Sequence, residues 1–458
     1  MSALEQSPPA GDQPKAERFL SWPMAIAWVL YGLIALTFSA FQVRGDGLLY
    51  FDLLKRFFGE RTDFTAYAYQ FGSDIWNVPF FLAGKGLGAI FGAEPKIFHV
   101  TFEEIGITVA TQVAFVLTVY LGWKLLKELD LPRGPGVLFL TVFGSPLFYY
   151  VIFEPAAKHA VDTLVLTAAT YLLAKSARGW STRNAVALGA LAGLAVNIRY
   201  VDVAFFLVLA VVVYRSATLR TFALATTTAV IVVAIIFVLP ALRGIGYLKI
   251  PHFLRLSAPA SREASSNGLA LASLPHANPL RDFNIAIPLR MLVSEHRGLF
   301  LWTPLTAFAV AGFVIAAVTR YRAGRNRQFF VALGAAALAL LFIHVIWHAW
   351  DGGFSFSQRF LTGLFPLYLI GVAELVRRAR AVTYVVLTLA CLFSGAVALV
   401  HNIGYDNVSE RDGIAHVVHV GVTERGDLWD KLQKRVRKRW RYLSGLTHGV
   451  DSEHVHGP

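Results

Sequence analysis

Charge is scarce in this chain: 16% of its 458 residues are charged, against 56% hydrophobic. Soluble domains carry about a quarter charged residues, so this composition excludes an ordinary globular fold and places the chain among polytopic membrane proteins. Cysteine is all but missing. The single Cys391 lies in an apolar run, cannot close an internal disulfide, and reads as a core or lipid-facing thiol. The motifs of soluble nucleotide chemistry are missing as well. There is no Asp-x-Asp, no P-loop, no strand-embedded Gly-x-Gly-x-x-Gly, no His-Glu-x-x-His and no Ser-His-Asp order. Gly84, Gly88 and Gly92 stand four apart, which suits helix packing better than a phosphate cradle. No cleavable signal peptide is expected. Residues 1–21 form a polar lead, and the apolar stretch after them is too long for a signal core and lacks a small-residue cleavage site.

What is present is a set of long apolar runs. A spanning helix needs about 20 apolar residues. Eleven runs qualify as candidates, near 22–43, 104–126, 136–153, 160–175, 184–198, 200–215, 221–242, 299–319, 328–347, 359–376 and 382–401. The net charge of +13 sits mostly in the short loops between them, so no basic domain for nucleic acid is expected. Five basic loop clusters fall on one side if the eleven runs span: Lys124–Arg133, Lys175–Arg183, Arg215–Arg220, Arg320–Arg327 and Arg377–Arg380. Lys15 and Arg18 join them, and that side is expected to be cytoplasmic. The domain plan is therefore a cytoplasmic lead at 1–21, a transmembrane domain at 22–402, and a tail at 403–458.

The opposite face then carries the polar loops: 44–103, the turn Glu154–His159, 243–298, the segment around Asp351, and the tail. The first of these holds four of the fifteen aspartates: Asp46, Asp52, Asp63 and Asp74. Tyr50, Leu53, Leu54, Phe57 and Phe58 repeat at helical spacing. They predict an amphipathic interfacial helix with Asp52, Lys55 and Arg56 on its polar side. The run at 78–91 is about half a bilayer long and reads as a second interfacial helix or a re-entrant segment. In the tail, Leu428, Leu432, Val436 and Trp440 form a ladder amid seven Lys and Arg. They predict a basic amphipathic helix at 427–444, suited to anionic lipid. Loop parity puts this helix outside, against the positive-inside trend.

Several residues carry two readings each. Asp46 directly precedes the amphipathic helix and is either an N-cap or a general base at the membrane surface. Asp351-Gly352-Gly353 followed by Arg359 builds a tight turn whose arginine either binds a phosphate or anchors the interface. Arg199, between two apolar runs, is a functional candidate by its cost in the membrane, or pairs with Asp202 to hold the bundle. Glu154, Lys158 and His159 share one short turn, and Glu295, His296 and Arg297 precede a span. His344 and His348 have metal-ligand spacing without a third ligand, so no metal site is assigned.

In order along the chain, GDGLLYFDLLKRFF, RTDF with FGSDIWNVPFFL, SPLFYYVIFEPAAKHAVDTL, GLAVNIRYVDVAF, VSEHRGLFLWTPL and WDGGFSFSQRFLTGLFPLYLIGVAEL resemble the bacterial polytopic GT-C glycosyltransferases, of the glycosyltransferase 39 type. The resemblance implies an all-α integral membrane fold of about eleven spans, in the bacterial inner membrane with its site outside. It implies sugar transfer from a polyprenyl-phosphate donor to the hydroxyl of a lipid, glycan or protein acceptor, with inversion. It places Asp46 as catalytic base with Asp63 as second acid, and Arg359, Arg297, Arg199 and Lys158 on the donor phosphate. Asp74, Trp76, His159, His296 and Asp351 then fall on the substrate. A divalent cation is left open. The last motif reads Gly353-Phe-Ser-Phe-Ser357 where the family has Gly-x-Ser-Phe-Gly, and no large soluble domain follows, so acceptor recognition falls to the loops. A rival class, a transporter or flippase of a lipid-linked or anionic solute, would use the same charges as a path. The absence of a visible inverted repeat speaks against it.

Overall fold

Among the described residues of the computed structural model, every element is helical. The structure describes residues 19, 21–39, 41–60, 70–91, 100–177, 179–243, 284–322, 326–346, 355–378, 380–404 and 412–445. Asp63 and Asp351, His348, Gly92, Gly352, Gly353 and most of the loop at 243–298 lie outside them.

The apolar runs become α1 (Trp22–Phe38), then, after the first loop begins, α2 (Asp46–Phe57) and α3 (Gly72–Phe91). Next come α4 (Phe102–Glu128), α5 (Pro135–Phe143), α6 (Pro146–Ile152), α7 (His159–Ser176), α8 (Thr182–Ile198), α9 (Val203–Ser216) and α10 (Leu219–Leu242). The C-terminal half holds α11 (Ile287–Val293), α12 (Leu299–Trp302), α13 (Leu305–Arg322), α14 (Arg327–Phe342), α15 (Phe365–Arg378), α16 (Arg380–Ile403), α17 (Ile414–Thr423) and α18 (Arg425–Gly445).

Among the described residues, five stretches are long and apolar enough to cross a membrane: Phe102–Glu128, Leu219–Pro240, Arg327–Val345, Arg359–Arg378 and Ala381–Ile403. The run at 136–153 is broken into α5 and α6, which meet at 78°. Pro135 and Pro146 sit in the first turn of each half, where a proline costs no hydrogen bond. The other candidate runs are helical but shorter or more polar; α1 has 17 residues and α9 has 14. The chain is thus a multi-pass helical membrane protein.

The first loop packs on protein. Tyr50, Leu53 and Leu54 of α2 are buried, and Phe57 and Phe58 lie against Phe71 and Phe81. Asp52 corrects the expectation of a solvent-side acid: it is 7% exposed, with Arg56 one turn on at 3.4 Å. Lys55 and Arg56 on the same side are half-buried, so the polar side given by helical periodicity is partly covered as well. The run at 78–91 is the C-terminal part of a 20-residue helix, α3, lying along α4. Gly84 makes that approach: a Cβ there would meet the Phe102 carbonyl oxygen at 2.4 Å.

Candidate active site

Asp46 is the first residue of α2, and Gly45 takes the cap position without a side-chain cap bond. The N-cap reading is therefore corrected by one position. Gly45 has φ 54°, a conformation open to glycine and strained for other residues. A carboxylate in the first turn is favoured there by the helix dipole. Gly47 then brings the start of α2 onto the turn Glu154–Lys158, since a Cβ on it would lie 2.6 Å from Ala156 Cβ. Gly47→Val should force these elements apart, at a cost of about 1–3 kcal/mol. A drop in the unfolding midpoint together with loss of activity checks this; unchanged stability would show that the approach is loose.

Arg359 opens the 3-10 turn Arg359–Leu364 that leads into α15. Its Nη1 donates to Asp46 Oδ2 at 2.6 Å, across 313 residues of sequence. The pair is partly open, with the carboxylate side chain 38% exposed and the guanidinium 20%. The buried Arg359 Nε has no hydrogen-bond partner. Beside the pair, Tyr149 Oη donates to Glu154 Oε1 at 3.3 Å. Burial pushes the Glu154 carboxyl up to about 7; Arg359 opposes this and the Asp46 charge adds to it. Lys158 Nζ donates to Gln70 Oε1 at 3.4 Å and lies over the Tyr50 ring at 5.4 Å. Burial, then the Arg199 charge, pushes this amine down to about 8, while Asp46 pulls it back.

The raised Glu154 carboxyl makes a pH prediction. The folded chain holds this proton more tightly than the unfolded chain, whose carboxyl titrates near 4.5. Stability therefore falls as pH rises from 4.5 through about 7. Glu154→Gln should flatten this limb of the unfolding midpoint against pH; equal slopes in both proteins would contradict the assignment.

A second group lies behind Phe360. Arg199 Nη1 donates to Asp162 Oδ2 at 2.9 Å and to the Phe360 carbonyl at 3.0 Å. Arg199 and Arg359 each place a guanidinium over the Phe360 ring, at 5.5 and 5.4 Å. Asp162 and Asp202 are fully buried, and both bear electrostatically on Arg199. The expected Arg199–Asp202 pair is thus a neighbourhood, while the direct ion pair is with Asp162. Asp74 is fully buried in the first turn of α3, with Asn77 beside it and the Lys158 charge bearing on it.

The structure accordingly brings Asp46, Arg359, Lys158, Arg199 and Asp74 to one region. Other expected residues stand differently. Arg297 is buried over Trp302 at 4.7 Å and donates to the Asp412 carbonyl. A row of rings leads from it towards the region: Trp302 on Phe356, and Phe356 stacked on Tyr149. The His159 ring packs on Tyr150 at 4.3 Å. Trp76 Nε1 donates to the Ala110 carbonyl. His296 is half-buried, its backbone N–H on Ser294 Oγ. Among the described residues no three metal-ligating side chains cluster. Sequence reasoning missed Asp162, Gln70 and Tyr50. An acid inside an apolar helix was the available signal for the first.

An apolar cavity of about 530 Å³ lies between α8, α9 and α10. Val196 and Val203 line it, and they flank the Arg199–Asp202 turn in the chain.

Fold and site together define a class: a multi-pass helical membrane protein with an ion-paired carboxylate and a group of cations at one end of its bundle. No protein-family model matches the chain, and neither does any curated protein. Among solved structures, it is similar to the oligosaccharyltransferase of Archaeoglobus fulgidus in the apo form, at 12% identity and TM-score 0.44, over 92% of this chain and 56% of that one. It is likewise similar to the archaeal oligosaccharyltransferase AglB from Archaeoglobus fulgidus in complex with an inhibitory peptide and a dolichol-phosphate. That match has 14% identity and TM-score 0.44, over 87% of this chain and 57% of that one. The chain spans little more than half the length of either.

Proposed function

We propose that the protein is a membrane glycosyltransferase that moves a sugar from a polyprenyl-phosphate donor to an acceptor hydroxyl on the extracytoplasmic face of a bacterial inner membrane. The observation that carries this reading is the Asp46–Arg359 pair, with the unpartnered Arg359 Nε beside it. A guanidinium already gathered with Lys158 and Arg199 suits a phosphate, and an adjacent half-open carboxylate suits a base.

The reading gives each group a task. Donor phosphate takes Arg359, with Lys158 and Arg199 supplying further positive charge as preorganised stabilisation. Asp46, released from the guanidinium, accepts the proton of the acceptor hydroxyl. The acceptor oxygen bonds to the anomeric carbon as the carbon–phosphate oxygen bond breaks, and the phosphate leaves with the electron pair. One base and one direct displacement invert the anomeric carbon. The apolar cavity beside the Arg199 turn suits the hydrocarbon tail of the donor. Arg297, held by Asp412 and Trp302, stays outside the phosphate set in this reading.

The test is transfer by the purified full chain in detergent, with a panel of radiolabelled polyprenyl-phosphate sugars and bacterial envelope lipids as acceptors. Label appearing in an acceptor supports the reading. No turnover with any donor, together with movement of the lipid across liposome membranes, would replace it with the transporter.

A further inference from the structure

The basic C-terminal helix does more than present charge to solvent. Arg435 and Arg439 stand one turn apart on α18, on a single face. Arg435 Nη1 donates to the Asn402 side-chain oxygen near the end of α16, and Arg439 Nη2 donates to the Ser39 carbonyl just past α1 at 2.6 Å. Arg439 also lies over the Phe41 ring at 5.0 Å. These contacts put α18 on the same end of the bundle as Asp46. Arg44, two residues before Asp46, hydrogen-bonds its neighbour Gln42, and its charge bears on both α18 arginines.

Arg439 thus lies against Ser39 and Phe41, a few residues before Arg44, which brings two distant basic parts of the chain to one place. Such a convergence is unfavourable by like-charge repulsion. Burial first, and then the Arg44 and Arg439 charges, push Arg435 down to about 10. An anion would relieve it, and guanidiniums match a phosphate in geometry as well as charge.

We propose that Arg44, Arg435 and Arg439 form a binding site for the phosphate of an anionic lipid headgroup, at the mouth of the Asp46–Arg359 pair. Depth selects a lipid. Asn402 is one residue from the end of the candidate span Ala381–Ile403, so the cluster sits where a crossing helix leaves the hydrocarbon. Trp429 and Trp440 of α18 are 58% and 44% exposed, and such amphipathic rings favour the headgroup level. The site uses none of the residues given to the donor phosphate and does not depend on the sugar-transfer reading.

The experiment measures binding by the full chain in detergent, without any sugar donor. The probes are short-chain phosphatidic acid and the matching diacylglycerol, with inorganic phosphate as competitor. Wild type should prefer phosphatidic acid by about tenfold or more. Arg44→Gln and Arg435→Gln should each remove most of that preference and leave diacylglycerol binding alone. Arg435→Lys, which keeps the charge, should retain it in part, which separates lost binding from lost folding. Arg437→Gln, on an exposed arginine hydrogen-bonded to Gln433, should change little. Equal loss in Arg437→Gln would reduce the site to general surface charge and overturn the proposal, as would full binding by Arg435→Gln. Displacement by inorganic phosphate at equal concentration would assign the site to a soluble anion and overturn the lipid assignment. Failure of sugar transfer would leave this binding result standing.

Discussion

Asp46→Asn should lower sugar transfer by about 10²–10⁴-fold, the usual weight of a general base. Its unfolding midpoint should stay close to wild type. Asparagine keeps the shape at the start of α2 and the oxygen that faces Arg359, but it cannot take a proton. The lost ion pair costs little stability because the carboxylate is more than a third exposed. The same variant should bind polyprenyl phosphate more tightly than wild type, since Arg359 no longer has a carboxylate on it. A general structural defect would weaken binding and transfer together. Opposite movement of the two is the signature of Arg359 passing from Asp46 to the donor.

Asp162→Leu should cost about 3–5 kcal/mol of stability. The pair with Arg199 is almost wholly buried, the side chains 2% and 0% exposed, so removing the carboxylate leaves a buried guanidinium without its direct ion partner. Asp162→Leu combined with Arg199→Met should recover much of the loss, because apolar groups of similar size replace a buried pair at little cost. The full set of single and double variants, followed by thermal unfolding in detergent, measures the coupling. A double variant as unstable as the sum of the singles would show that the two side chains act independently.

Much of the site could be read from the chain because its parts are locally unusual. Asp46 precedes a clean apolar stripe, and Arg359 opens an apolar run after a glycine pair. Both were legible without knowing that they touch. The ion pair joining them was not, since it closes over 313 residues. Arg199 stood out by its cost, but its partner did not. Asp202 is nearer in sequence, yet Arg199 leaves α8 in an extended conformation, φ −147° and ψ 120°, and its guanidinium reaches α7 and Asp162. Asp52 shows the limit of periodicity. Spacing alone gives one apolar stripe and one polar side, while in the fold Asp52 on the polar side is buried as well. The basic helix at the C-terminus was legible as a helix almost to its bounds. Two of its arginines, Arg435 and Arg439, also face inward, because α18 docks beside the ends of α1 and α16, which no pattern within α18 announces. The long apolar helices were legible, but α11 and α17 fall in stretches read as loop and tail, and a helix shorter than a bilayer shares one apolar signature with a crossing helix. Five described stretches have the length and composition to span.

In the proposed reaction, Arg359 is shared in turn by Asp46 and the donor phosphate. The most direct measurement is the equilibrium affinity for polyprenyl phosphate of wild type, Asp46→Asn and Arg359→Gln, with sugar transfer recorded on the same preparations. Tighter binding without turnover is expected in Asp46→Asn, and loss of both in Arg359→Gln. Unchanged phosphate affinity in Arg359→Gln, or transfer that survives in Asp46→Asn, would contradict that sharing.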